Sequence, residues 1–311
     1  MNRIGTSDLE VFPLSLGGNV FGWTADEAQS FAILDAYAAA GGNFVDTADA
    51  YSAWAPGNSG GESEEIIGRW LAARGNRDDI VVATKVGGHP KLRGLAPATI
   101  KKGVEGSLRR LGVDHIDLYY AHYDDPGTPV EETLRAFNDL VTEGKVRCIG
   151  ASNFTGARLS ESLAVSEREG LARYVAVQPH YNLVFREEYE RGLRDVAAAN
   201  GLSAAPYYGL ASGFLTGKYR TDTDVDSARA GGAAKYLDSD RGRRVLAALD
   251  EVAAEHGVAV GTVALAWLRS QPTVAAPIAS ARTADQLPPL LASVDLELAK
   301  EDLRRLEAAS Q

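Results

Sequence analysis

Ile80-Val81-Val82-Ala83-Thr84-Lys85 is an apolar run closed by a cation. It is followed by a helical stretch, Pro97–Leu111, and then by a second apolar run, Ile116-Asp117-Leu118-Tyr119-Tyr120-Ala121, closed by His122. Such short runs read as strands buried on both faces, while the stretch between them opens with proline at a first-turn position and stops at Gly112. Strand, helix, strand is the repeating unit of a parallel sheet. Outward from this unit the alternation continues to both ends. Further strands are expected at Leu14–Leu16, Phe44–Asp46, Cys148–Ser152, Val175–Gln178, Ser203–Pro206 and Val274–Ile278. Helices are expected at Asp26–Ala40, Glu62–Arg74, Pro129–Glu143, Thr155–Gly170, Phe185–Asn200 and Arg241–Gln271, with Ala299–Ala309 closing the chain. Eight strands, each followed by helix, predict one α/β domain over residues 1–311: a (β/α)8 (TIM) barrel. A small N-terminal β-hairpin over Arg3–Val11, turning at Thr6-Ser7-Asp8, precedes it. The alternative is a doubly wound open sheet, but no G-x-G-x-x-G follows any strand, so a Rossmann site has no support. One connection is long: Ala211–Ser239 follows strand seven and would lie over the face where barrel sites form.

Composition narrows the partners. Of 311 residues, 45% are hydrophobic and 24% charged, as in ordinary globular chains. The formal net charge of −10 argues against non-specific nucleic-acid binding and against docking on anionic membranes. No run approaches the roughly 20 apolar residues of a membrane span, and the first residues lack a signal-peptide core; the cytoplasm is the expected location. The single cysteine, Cys148, excludes an internal disulfide framework and any multi-cysteine metal site and reads as packing. The five histidines make no metal-ligand spacing, so no metal is expected.

The chemistry lies at the strand ends. Asp46 closes Asn43-Phe44-Val45-Asp46, Tyr51 follows it by five residues, Lys85 ends strand three and His122 follows strand four. Taken singly, each has an ordinary explanation: a turn-capping aspartate, a solvent-reaching lysine, a structural histidine or tyrosine. Together they converge on one end of one barrel. A buried lysine or aspartate needs a partner, and strands two and three place Asp46 and Lys85 to pair. A tyrosine beside an ammonium becomes a better acid, and an imidazole can stabilise charge on a carbonyl oxygen. These are the parts needed to protonate a carbonyl during hydride reduction. A Schiff-base aldolase would also use a strand-end lysine, but Asp46 should raise the pKa of Lys85 rather than lower it.

Several segments now fall into a pattern: Gly42-Asn43-Phe44-Val45-Asp46-Thr47-Ala48 with Tyr51, Gly61-Glu62-Ser63-Glu64, Ala83-Thr84-Lys85, Gly144 to Phe154, Gln178-Pro179-His180-Tyr181-Asn182 and Gly213 to Tyr219. In this order, essentially end to end, the chain resembles the aldo-keto reductase family. The resemblance implies an alcohol:NADP+ oxidoreductase with Tyr51 as general acid, Lys85 and Asp46 lowering its pKa, and His122 positioning a small-molecule carbonyl or alcohol. It implies NADP(H), with Ser152, Asn153 and Gln178 on the nicotinamide carboxamide and Tyr207 stacked on the ring. The insertion after Leu210 would lie over the pyrophosphate, with Gly213 and Leu215 offering backbone donors, Arg282 on the 2′-phosphate and Gln286 near the adenine. Phe21, Trp23, Trp54 and Tyr123 are expected to wall the substrate pocket, and His180 to pack rather than to edge it. The chain departs from the family at Tyr207-Tyr208-Gly209-Leu210, where relatives show Tyr-Ser-Pro-Leu, and at Pro289 and Leu290 near the adenine, which leaves NAD(H) open. Barrels of this family also serve as channel-associated subunits, so a cofactor-sensing regulatory subunit is the alternative.

Overall fold

The computed structural model describes residues 1–220 and 230–311. Eight strands form one parallel sheet: β1 (Ser15–Gly17), β2 (Phe44–Asp46), β3 (Val81–Val86), β4 (Ile116–Ala121), β5 (Val146–Ser152), β6 (Tyr174–Gln178), β7 (Ser203–Ala204) and β8 (Ile278–Ala279). Ladders join them from β7 through β6, β5, β4, β3, β2 and β1 to β8. The ends of that order also meet. Ala204 N–H donates to the Thr273 carbonyl (2.7 Å), Ala275 N–H to Ala204 (2.9 Å) and Ile278 N–H to Pro206 (2.8 Å), so the sheet curls back on itself.

Side chains alternate across a strand, and this sets two layers. Phe44 of β2, Val81 and Ala83 of β3, and Leu118 and Tyr120 of β4 share the inner layer with Ala176, Ala205 and Ala276. Ile4, Leu9 and Val11 join the same cluster; they flank a short antiparallel pair, Asn2–Arg3 with Glu10–Val11. The intervening residues Val45, Val82, Val86, Tyr119 and Ala121 pack outward in a second, larger cluster with the helices. Counting by twos, Asp46, Lys85 and His122 continue the inner column. The polar residues are therefore delivered to the inside of the curl by the same phase that buries their apolar neighbours.

The helices are α1 (Glu27–Ala39), α2 (Glu62–Arg74), α3 (Pro97–Leu111), α4 (Val130–Thr142), α5 (Gly156–Glu169), α6 (Arg194–Ala199), α7 (Ala230–Leu237), α8 (Asp240–His256), α9 (Val260–Arg269), α10 (Leu287–Leu291) and α11 (Lys300–Ala309). Local chemistry sets their ends. Asp26 Oδ1 accepts from Gln29 N–H at 2.8 Å while Gln29 Oε1 accepts from Asp26 N–H at 3.0 Å, a reciprocal cap on α1. Pro97 opens α3 and Gly112, at φ 64°, closes it.

Three expectations are corrected. Arg241–Gln271 is not one helix: Gly257 takes φ 64° and ends α8 before α9 starts at Val260. Phe185–Asn200 is broken too, because Arg191 and Gly192 leave helical geometry ahead of α6. The last strand is shifted, with Ile278–Ala279 on the ladder to β1 and Val274 bridging Ala204. A second antiparallel pair, Gly88–His89 with Leu92–Arg93, follows β3 and had no signal in the apolar pattern. Within the long connection, Ala211–Thr216 winds into a 3-10 turn and α7 follows; its middle lies outside the described residues. Among the described residues no helix is long and apolar enough to cross a membrane.

Candidate active site

Lys85 is fully buried and its ammonium has three acceptors: Asp46 Oδ2 at 2.7 Å, the Thr47 carbonyl at 2.7 Å and Tyr51 Oη at 2.9 Å. The same Nζ lies 4.5 Å from the Tyr51 ring centre. Burial pulls the lysine pKa below its ordinary value and Asp46 pushes back; with every N–H satisfied by an oxygen, we read the ammonium as retained. Tyr51 OH in turn donates to Asp46 Oδ2 at 3.2 Å.

That last bond overturns one expectation. The phenol of Tyr51 is held well above its usual range, first by burial and then by the Asp46 charge and hydrogen bond. The ammonium at 2.9 Å favours the phenolate, but burial and Asp46 outweigh it, so the resting phenol keeps its proton. Sequence spacing could bring the three groups together but could not say that carboxylate and ammonium would both meet the phenol oxygen. A further partner was missed: Gln178 Nε2 donates to Asp46 Oδ1 at 2.7 Å, so this residue ties strand six to the carboxylate. Its signal was present, since Gln178 closes β6 as Lys85 nearly closes β3.

His122 is buried, and its pKa is depressed to about 3 by burial and then by Lys85, so the ring is neutral. Its Nδ1 is buried without a partner, and Gly88 lies directly against it: a Cβ there would stand 2.6 Å away. Nε2 is left as the ring nitrogen available to a ligand.

These groups open onto a cavity of about 840 Å³. Asp46, Tyr51, His122 and Gln178 line its floor, with Ser152, Asn153 and Tyr207 beside them. The latter are mutually fixed. Tyr207 OH donates to Asn153 Oδ1 (2.7 Å), Asn153 Nδ2 to the His122 carbonyl (2.8 Å), and Ser152 Oγ to the Gln178 carbonyl (2.9 Å). Leu210, Gly213, Arg282 and Gln286 also line the cavity, and Arg282 N–H donates to Gln286 Oε1 at 2.9 Å. Trp54 and Tyr123 are on the wall as expected.

Other expected residues are elsewhere. Phe21 is fully buried in the outer core, its carbonyl accepting from Ser52 Oγ at 2.7 Å. Trp23 is not on the wall; it packs edge-on behind Trp54, ring centres 5.7 Å apart. Leu215 is buried, and its N–H donates to the Leu210 carbonyl at 3.2 Å; Gly213 N–H donates to the same carbonyl at 2.8 Å. Neither amide is spare for a phosphate while this turn holds. His180 packs instead of lining the cavity: it stacks on Phe185, ring centres 3.8 Å apart, and on the lining residue Tyr207 at 5.3 Å. Among the described residues no group of three or more His, Cys, Asp and Glu is arranged to hold a metal ion.

A second polar cluster lies behind the first. Glu64 accepts from Thr84 Oγ1 (2.5 Å) and Arg110 Nε (2.6 Å), while both carboxyl oxygens of Asp49 are buried without a partner. Burial, then the Glu64 charge, lifts the Asp49 pKa to about 8 against Arg110 and Lys85. An unfolded aspartate titrates near about 4. The folded value is the higher, so proton uptake by Asp49 stabilises the fold fully at low pH and that contribution is lost as pH rises through about 8. Asp49→Asn, neutral throughout, is expected to raise the urea midpoint clearly at about pH 9 and little at about pH 4. An equal shift at both would show that Asp49 is not held protonated.

Residues 13–311 match the sequence model of the Aldo/keto reductase family. The chain is similar to "Protein tas" of Escherichia coli (strain K12), 32% identical over 100% of this chain and 97% of the relative. It is 36% identical to "Uncharacterized oxidoreductase YrpG" of Bacillus subtilis (strain 168), over 97% of this chain and 93% of the relative. It is also 34% identical to a protein of Oryza sativa subsp. japonica named "Probable voltage-gated potassium channel subunit beta", over 99% and 96%.

Proposed function

The chain belongs to the aldo/keto reductase family, and from that premise we propose that it is an NADP(H)-dependent oxidoreductase. It would reduce an aldehyde or ketone, or oxidise the matching alcohol, with Tyr51 giving and taking the proton. The observation that carries this reading is Lys85 Nζ touching both Asp46 Oδ2 (2.7 Å) and Tyr51 Oη (2.9 Å) on the floor of a cavity. We read the curled sheet as a (β/α)8 barrel, whose carboxyl end is where such sites form.

The residues present fit a dinucleotide. Ser152, Asn153 and Gln178 offer a hydroxyl and two amides, the mixed donors and acceptors that a carboxamide needs, and their mutual hydrogen bonds hold them in place. Tyr207 would lie on the ring, and Leu210 and Gly213 would pass beneath the pyrophosphate. Arg282 would grip the 2′-phosphate with two N–H groups, and Gln286 would face the adenine beside Pro289 and Leu290. When bound, the dinucleotide supplies a hydride to the carbonyl carbon.

The remaining work falls to the chain. Tyr51 Oη gives its proton to the carbonyl oxygen as negative charge grows there. Lys85, already donating to that phenol oxygen, stabilises the phenolate left behind, and Asp46 holds the ammonium in place. Neutral His122 can offer Nε2–H to the same carbonyl oxygen. In the reverse direction the phenolate takes the alcohol proton. The test is direct: protein with NADPH and a panel of aldehydes and ketones, then with NADP+ and the matching alcohols. Turnover of any pair supports the reading, and none across both panels overturns it. The name of the rice relative favours a second reading, a cofactor-sensing regulatory subunit. That subunit would bind NADPH tightly with negligible turnover on the same panels.

A further inference from the structure

Apart from Met1, the large hydrophobic side chains that stay exposed among the described residues are Trp54 (51%), Tyr123 (51%) and Tyr208 (52%), and all three line the one cavity described above. Large aromatic surfaces left open together mark a binding surface. Each of the three is braced from behind by another ring. Trp54 meets Trp23 and Tyr51 edge-on at 5.7 and 6.0 Å. Tyr123 lies flat on His122, centres 4.6 Å apart and planes at 12°. Tyr208 leans on Tyr207 at 5.3 Å and on His180 at 5.1 Å.

Tyr208 is the telling member. It takes a left-handed backbone conformation, φ 55°, which a bulky residue adopts only under constraint. Its carbonyl is held there by Asn182 Nδ2 at 2.9 Å. The charge pattern of the lining adds a second clue. Of the charged lining groups, Asp46 on the floor is paired with Lys85, and Lys218, Arg282 and Asp285 come from the segments after β7 and β8. The substrate-side segments contribute Thr24, Ala50, Ala53, Gly88 and Pro90 beside the phenol of Tyr51 and the neutral ring of His122, with no cation among the described residues there. An anionic substrate would find no counter-ion on that wall.

Resting on the reductase reading, we propose that Trp54, Tyr123 and Tyr208 form a three-ring clamp that selects neutral, flat aromatic carbonyls over aliphatic or anionic ones. Tyr208 is then a specificity residue of this chain. With NADPH, 2-naphthaldehyde is expected to exceed cyclohexanecarbaldehyde and 4-carboxybenzaldehyde in kcat/KM by about tenfold or more. In Tyr208→Ser and in Trp54→Leu the ratio of kcat/KM for 2-naphthaldehyde to that for butanal should fall about tenfold, carried by KM, or ~1.4 kcal/mol. Independently of turnover, 2-acetonaphthone should quench tryptophan fluorescence saturably, and Tyr208→Ser should move that titration to higher concentration. Turnover of the aldehydes with no preference for the flat neutral ring, or quenching unmoved in Tyr208→Ser, would overturn the clamp and leave the reductase standing. Saturable quenching weakened by Tyr208→Ser, with no turnover on any carbonyl, would keep the clamp as a binding site and remove the reductase.

Discussion

Tyr51→Phe is expected to lower kcat by about 10²–10⁴-fold, the usual contribution of a positioned proton donor. The substitution deletes a single oxygen. That oxygen accepts from Lys85 Nζ at 2.9 Å and donates to Asp46 Oδ2 at 3.2 Å. The phenyl ring can keep its contacts with Trp54 and with the ammonium, centred 6.0 and 4.5 Å away. Lys85 also keeps two acceptors, Asp46 and the Thr47 carbonyl. NADPH binding, followed by cofactor fluorescence, should therefore change little while turnover collapses. Full activity in the variant would remove the phenol from the chemistry, and loss of binding together with turnover would mean that the site had come apart.

Lys85→Met should act on two quantities at once. Activity should fall as far as in Tyr51→Phe, because nothing is left to stabilise the phenolate. Stability should fall as well. Asp46 is about 1% exposed and would keep only Tyr51 and Gln178 as hydrogen-bond donors, with no counter-charge beside it. Breaking a buried pair by removing one partner typically costs about 3–5 kcal/mol, readable as a lower urea midpoint. Lys85→Met with Asp46→Leu removes the stranded charge, so much of the stability should return while activity stays absent. If the single variant unfolds at the wild-type midpoint, the pair is not held in a dry site, and the electrostatic account of Tyr51 loses its basis.

Much of this arrangement is legible before any coordinates, because it follows from periodicity. The runs at 44–46, 80–85 and 116–121 fall on strands within a residue or so of the expected bounds, and the glycines at 75 and 112 end α2 and α3 as expected. The same count by twos places Asp46 and Lys85 on one face. What periodicity does not carry is the third dimension of each contact. Gln178 reaches Asp46 across the curl from a strand 132 residues away in sequence, and Tyr51 is pushed up rather than down because its hydroxyl is buried and also meets the Asp46 carboxylate. Phe21 was placed on the wall for its aromatic character, yet burial of its ring in the outer core decided otherwise. At Gly257 the apolar repeat runs on past the break on both sides, so periodicity alone reads α8 and α9 as one helix. Tyr208 was readable only as a departure, and its meaning came from the two other rings that face the same cavity.

The shared phase of packing and chemistry on β3 and β4 has a bearing on how such a protein can change over generations. A one-residue insertion or deletion within either strand would reverse every side chain beyond it. Leu118 and Tyr120 would turn toward the helices in the same event that carried His122 away from the cavity. Selection for a stable interior thus guards the reacting groups without any separate pressure on them. The segments past the strand ends, where Trp54, Tyr123 and Tyr208 sit, carry no such coupling. If Tyr51 moves the proton as proposed, new substrate preferences can be tried there, one ring at a time, while that machinery is inherited intact.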